Sequence, residues 1–158
     1  MSEFIFVHLL DDRPVGADLG LTIPPHVTLL HWFETKHSPD EIFSAAEAAL
    51  MNCKSVETYS TGADLFGSDK DIPVMRLERT PELLDLHLRL VDCLDGVGAV
   101  FDRTWVGATN WRPHVTNTQD RELPAGLDLL INNLSFIEKR QPDKHRIILG
   151  KLALDSSK

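Results

Sequence analysis

Pro113-His114-Val115-Thr116 repeats, residue for residue, the earlier stretch Pro25-His26-Val27-Thr28. Each copy alternates polar with apolar side chains, the pattern of a strand with one buried face. Side chains along a strand alternate between its two faces. His26 and Thr28 therefore share one face, and Val27 and Leu29 the other. In the second copy His114, Thr116 and Thr118 share a face against Val115. Two such strands side by side would present two imidazoles and two hydroxyls to one cleft.

That set of groups suits acid–base chemistry at a phosphodiester. Histidine changes charge near neutral pH, so one ring can take a proton while the other gives one. The hydroxyls can donate hydrogen bonds to non-bridging phosphate oxygens. The chemistry requires no metal. A single H-x-T is readily explained as a strand histidine with a local hydrogen bond. Two copies with the same preceding proline and the same central valine point instead to a site, with His26, Thr28, His114 and Thr116 as the catalytic candidates.

At these residues the chain resembles the 2H phosphoesterase superfamily, which includes bacterial RNA 2′-5′ ligase-like proteins, cyclic nucleotide phosphodiesterases and some viral nucleases. The resemblance runs from Phe4 to about Leu154. Trp111 stands three before the second histidine and Pro113 directly before it, as is frequent in that family. Asn117 departs from it, since many relatives carry an apolar residue after the second motif. The resemblance implies two related lobes around a central cleft, and a reaction that can run as hydrolysis or, in reverse, as ligation.

The remaining composition narrows the class. A length of 158 residues fits one domain with a real core. No apolar run is long enough to span a membrane. Phe4 to Leu10 is apolar, but Glu3, His8, Asp11 and Asp12 in and around it argue for a first strand rather than a signal peptide. A cytoplasmic location is the expectation, with Cys53 and Cys93 as reduced thiols. A net charge of −8 would repel a long polyanion. It favours a nucleotide or short oligonucleotide as partner, and nothing calls for a cofactor, a membrane or an obligate protein partner. A monomer is expected.

Strands are predicted at Glu3–Leu10, from Ile23 to about Glu34, at Ser55–Thr61, Val74–Glu78, Ala99–Phe101, Arg112–Thr118, Asn132–Lys139 and Arg146–Leu154, with loops at 11–22 and 62–71. Ser38-Pro39-Asp40-Glu41 carries a capping residue, a proline at the first helical position and the glutamate of a capping box. Thr80-Pro81-Glu82 starts a second, leucine-rich helix that Gly96 and Gly98 end. A short third helix is expected over Pro124–Leu130. Each motif strand would then be followed by helix, strand, turn and strand. The predicted fold is α+β: two pseudo-symmetric lobes of antiparallel sheet, helices outside, motif strands lining the central cleft.

Five further residues are candidates for substrate binding. Arg112 shares the face of His114 and offers a planar guanidinium to a phosphate or base. Thr118 lies on the same face; Tyr59 and Phe66 are aromatics that a base could stack on; His145 precedes the last strand and could reach the cleft. Trp105 is undecided, and Trp111 has core parity. Strict alternation puts His31 with Val27 and Leu29, away from the catalytic face, and His87 inside the second helix reads as a hydrogen-bonded core residue. A metal site from His26, His31 and His37 is the rival chemistry, without the spacing or the carboxylate and thiolate partners that would support it. The expected function is a metal-independent phosphodiesterase acting on 2′,3′-cyclic phosphates, 2′-5′ linkages or short or cyclic oligonucleotides. Ligation and a non-catalytic nucleotide- or RNA-binding module are the alternatives.

Overall fold

Both helices begin at the caps that the sequence marks. In α1 (Pro39–Ala49) the Ser38 hydroxyl accepts from the Glu41 N–H, and the Glu41 carboxylate accepts in return from the Ser38 N–H. Such a cap stabilises a helix by about 1 kcal/mol. In α2 (Pro81–Gly96) the Thr80 hydroxyl accepts from the Leu83 N–H. Gly98, at φ 68°, supplies the left-handed residue that turns the chain away after the helix.

The structure is a computed structural model that describes residues 2–117 and 122–155. Its strands are β1 (Glu3–Leu9), β2 (Asp18–Gly20), β3 (His26–Glu34), β4 (Val56–Phe66), β5 (Ile72–Leu77), β6 (Val100–Phe101), β7 (His114–Thr116), β8 (Asp128–Ile131), β9 (Asn133–Arg140) and β10 (His145–Ala153). They form one antiparallel sheet in the order β2-β10-β9-β1-β3-β7-β5-β4-β8, with β6 on the end of β3. The fold is α+β, as expected, and the two motif strands are neighbours in the middle. One half of the sheet extends from β3 through β1, β9 and β10; the other extends from β7 through β5, β4 and β8.

The main core lies between the helices and one face of this sheet. Phe4, Phe6, Phe33 and Phe136 stack at its centre. Ile42 and Ala46 of α1 and Leu83, Leu86, Leu90 and Leu94 of α2 close over them. A smaller cluster of Ile5, Val7, Leu9, Ile137 and Ile148 occupies the opposite face, partly covered by Ala17, Leu19, Ile23 and Trp32. Strand β1 is thus buried on both sides, which explains its nearly unbroken apolar run. Among the described residues no helix is long and apolar enough to cross a membrane.

Strand β3 does not alternate throughout. Its pairing with β1 shifts by one residue between Phe4 and Phe6 and again between Phe6 and Val7. Each shift is a bulge, and a bulge moves the following side chain to the other face. Leu29 and Leu30 consequently both face the helices, and His31 and Trp32 both face the opposite side, over Ile5. The strict alternation that placed His31 away from the catalytic face is overturned by these bulges.

Three other expectations are corrected. Residues 124–130 form no helix: Gly126 takes φ 79°, and β8 pairs with β4 from Val56↔Ile131 to Tyr59↔Asp128. A stretch so short gains little from helix formation alone. Here Ser60 claims the backbone instead, its hydroxyl donating to the Pro124 carbonyl and accepting from the Leu127 N–H. The order of elements after the second motif therefore lacks the helix found after the first. Residues 62–66 continue β4 into a hairpin with β5 rather than forming a loop, and the loop before the first motif contains the short β2.

Candidate active site

The motif strands meet at one residue pair, Val27↔Val115, in antiparallel register. Both valines are buried toward the helices. That register sets His26 beside Thr116 and His114 beside Thr28, all four on the opposite face. The two imidazoles are diagonal neighbours across the pair, and residues on such a diagonal lie about 7–8 Å apart, within reach of two long side chains. All four residues line one cleft of about 500 Å³.

Each ring is held in the same way. His26 Nδ1 lies 2.8 Å from the Pro24 carbonyl oxygen, and His114 Nδ1 lies 2.8 Å from the Arg112 carbonyl oxygen. A carbonyl only accepts, so each Nδ1 carries the hydrogen and donates it. Nε2 is then the nitrogen left to face a substrate, as acceptor in the neutral ring and as donor in the charged one. The tether has a sequence cause. Pro25 and Pro113 force the residues before them into extended backbone, which aims those carbonyls at the rings.

Burial pushes both imidazoles below the ordinary value of 6.5. The carbonyl bonds work against this shift. For His26 the charges of His114 and His31 add to the lowering; for His114 the Arg112 guanidinium and His31 do so. Both rings are therefore predominantly neutral at pH 7 in the free protein. An anionic phosphate between them would favour the charged form.

The loop that leads into the second motif is pinned from behind. Arg79 Nη1 donates to the Ala108 carbonyl at 2.6 Å and to the Trp111 carbonyl at 3.0 Å. His87, fully buried in α2, donates through Nδ1 to the Leu29 carbonyl at 2.6 Å and accepts at Nε2 from the Gly107 N–H at 3.0 Å. Its ring stacks on Trp111, with centroids 4.3 Å apart and planes 4° off parallel. Trp111 is buried, as its parity indicates, and anchors the residues on which Arg112 and His114 depend.

Arg112 and Phe66 stand where the sequence places them, at the cleft. The Phe66 ring meets His114 edge-on, with centroids 4.6 Å apart. The Arg112 guanidinium lies over Phe66 at 4.3 Å and over Trp105 at 4.8 Å, so the undecided Trp105 joins this wall. Tyr59 does not line the cleft: it is 45% exposed on β4, paired with Asp128 near the sheet's edge. His145 does not line it either; its Nδ1 donates to the Asp143 carboxylate, and the next residue, Arg146, reaches the cleft instead. Thr118 lies outside the described residues.

Sequence reading missed His31, Trp32 and Arg146, which all line the cleft. The bulges hid His31; Trp32 has the same parity as His26 and Thr28, which the two bulges together restore, and the parity of β10 was the signal for Arg146. His37 is remote from His26 and His31 and pairs with Glu41 at the start of α1, at 3.2 Å. Among the described residues no group of three or more His, Cys, Asp or Glu side chains is arranged to hold a metal ion.

Comparison with known proteins agrees with this architecture. The chain has no significant sequence match among curated proteins. Solved structures resemble it over nearly the whole length. E. coli LigT complexed with NADP+ superposes with a TM-score of 0.63 at 14% identity, covering 98% of each chain. The protein TT0787 of Thermus thermophilus superposes with a TM-score of 0.61 at 14% identity over 100% of each chain. Usb1 of Kluyveromyces marxianus gives 0.54 at 14% identity, over 97% of this chain and 98% of its own. At such identities these likenesses speak to the fold alone. Residues 15–144, however, match the 2′-5′ RNA ligase superfamily itself, so the chain belongs to that superfamily, within the 2H phosphoesterases.

Proposed function

We propose that the protein is a two-histidine phosphodiesterase that acts on 2′,3′-cyclic phosphates, 2′-5′ linkages or short or cyclic oligonucleotides. The observation that carries this reading is the pair of identically tethered imidazoles on one cleft face, each with Nε2 left for the substrate. Nucleotide-sized ligands suit such a cleft, and E. coli LigT, of like fold, is known in complex with 3′-AMP and with ATP.

One neutral imidazole takes a proton from water as the water oxygen attacks phosphorus. The bond from phosphorus to the leaving ribose oxygen breaks. The other ring, charged, gives that oxygen its proton. One proton is taken and one given, and the rings exchange protonation states before solvent resets them. Thr28 and Thr116 donate to the non-bridging oxygens, where negative charge grows. Because the two halves are related across the Val27↔Val115 pair, either ring can serve as base. With a ribose hydroxyl in place of water, attacking a 2′,3′-cyclic phosphate whose ring P–O bond breaks and whose oxygen takes the proton, the same transfers amount to ligation.

The test is a screen of the purified protein, with EDTA present, against 2′,3′-cyclic nucleotides, 2′-5′ and 3′-5′ dinucleotides and cyclic dinucleotides. Turnover of at least one class, undiminished by EDTA, is expected. Nucleotide binding without turnover would leave a binding module. Activity lost to EDTA and restored by zinc would make the protein a metallohydrolase.

A further inference from the structure

The cleft has two walls, and the chemistry above, carried by the histidines and threonines between them, uses neither. On the β5 and β7 side stand Phe66, Trp105 and Arg112. On the other side β3 presents Trp32, turned into the cleft by the second bulge. Lys139 Nζ lies 4.2 Å from the centre of a Trp32 ring, and the Arg146 guanidinium lies 5.7 Å away. Lys139 and Arg146 are cross-strand partners in β9 and β10, so both project on the cleft face. Glu3 holds the Lys139 ammonium at 2.9 Å, and the Ile5 and Ile137 cluster packs behind Trp32. The indole is thus a supported platform.

Each wall pairs an aromatic ring with a guanidinium, and the histidines lie between them. We propose that the Trp32, Lys139 and Arg146 wall is a second nucleoside site, so that the preferred substrate is a linear dinucleotide or longer phosphodiester with one nucleoside on each wall. This rests on the phosphodiesterase reading and narrows it.

Three observations favour it. Rings on opposite sides of the histidines cannot both be covered by a single base, whereas the two bases flanking a phosphodiester can each stack on one. The chain carries a net charge of −8, yet Arg112 and Arg146 line the cleft, a local positive region in an acidic protein, with Lys139 behind Arg146 balanced by Glu3. Such a region attracts a short anionic ligand. Apolar groups are also exposed along both rims: Leu21 at 64% on the Trp32 side, Ile72 at 43% and Trp105 at 40% on the other. A mononucleoside cyclic phosphate would cover one rim and leave the other wet.

The experiment compares kcat/KM for adenylyl-2′,5′-adenosine and adenylyl-3′,5′-adenosine with that for adenosine 2′,3′-cyclic phosphate. At least one dinucleotide is expected to be the better substrate. Trp32→Ala is expected to lower the ratio of dinucleotide to cyclic phosphate by about 5- to 150-fold, the usual size of one base–aromatic stack, chiefly through KM. Trp32→Phe keeps a ring and should restore most of that ratio. Arg146→Ala should lower it less, by an amount that shrinks as salt rises. A ratio unchanged in folded Trp32→Ala overturns the second site and leaves the phosphodiesterase reading intact. If the wild type turns over neither kind of substrate, the phosphodiesterase reading fails, and calorimetry with adenylyl-2′,5′-adenosine then decides the site alone. Binding weakened at least fivefold by Trp32→Ala supports it; equal affinity overturns it.

Discussion

The two halves of the site share a backbone but not its surroundings. The first motif opens a nine-residue strand at the inner edge of the larger half-sheet, in the middle of the whole sheet. The second is a three-residue strand that follows a loop held from behind by Arg79 and His87. Both nevertheless fix their imidazoles by the same 2.8 Å bond to the carbonyl two residues earlier. Ring placement is therefore a property of the local Pro-His unit and of one shared residue pair, not of strand length. What differs is the charge nearby. His114 has the Arg112 guanidinium among the causes of its lowered value, while His26 has only burial and the other imidazoles.

The sharpest way to break this equivalence is to remove one ring at a time. His26→Ala and His114→Ala should each lower kcat by about 10²–10⁴-fold, and the double variant should lose less than the product of the two. Near-wild-type turnover in either folded single variant would refute the two-histidine mechanism. Next come the hydroxyls. Thr28→Val and Thr116→Val, which keep the shape of the side chain, should each lower kcat by about 10²-fold. A loss confined to one of them would show a one-sided site.

Arg112→Ala addresses the asymmetry itself. KM should rise by about tenfold with kcat little changed. Removing the cation also lets His114 bind its proton more readily, so the limb of the kcat/KM profile that this ring owns should move up toward 6.5. The same variant should leave the limb owned by His26 in place. Both limbs moving together would mean that the pair titrates as one coupled unit.

The smallest expected effect is on stability. Burial lowers His8, His26, His31, His87 and His114 below 6.5. Between 6.5 and those lowered values the unfolded chain binds more protons than the folded one, so stability falls as pH falls through that window. His87 contributes directly, since its protonated ring could no longer accept from Gly107. Urea midpoints should drop from about pH 7.5 to about pH 5.5, and a flat profile over that range would contradict the assignment. Glu41, lowered to about 2 by its capping bonds, does not interfere, because its contribution is lost only below 4.5.

The sequence was most readable where local chemistry dictates the outcome. The two capped helix starts and the two P-H-V-T strands depend on neighbours a few residues away, and they stand as expected. It was least readable where a distant partner decides. Residues 128–131 became a strand because Ser60 and the edge of β4 bind that backbone. His31 entered the cleft because β3 carries an extra residue against β1, which no local pattern announces, while Trp32, with the parity of His26 and Thr28, stays there because the second bulge cancels the first. Arg146 and His145 exchanged roles for a simpler reason: they face opposite ways along β10, and only the pairing of Arg146 with Lys139 tells which way is inward.

The two bulges in β3 divide one strand into two independently adjustable parts. Residues 26–28 keep their register with β7 whatever happens beyond Leu29. Deleting Leu29 or Leu30 would remove the extra residue of one bulge while Thr28↔Val7 and Phe33↔Phe4 keep their pairing, so Trp32 would stay on the cleft face and His26 and Thr28 would stay put. A codon lost at this point is thus absorbed between the two parts, and the strand can change length without taking either its histidine end or its tryptophan end off the cleft face.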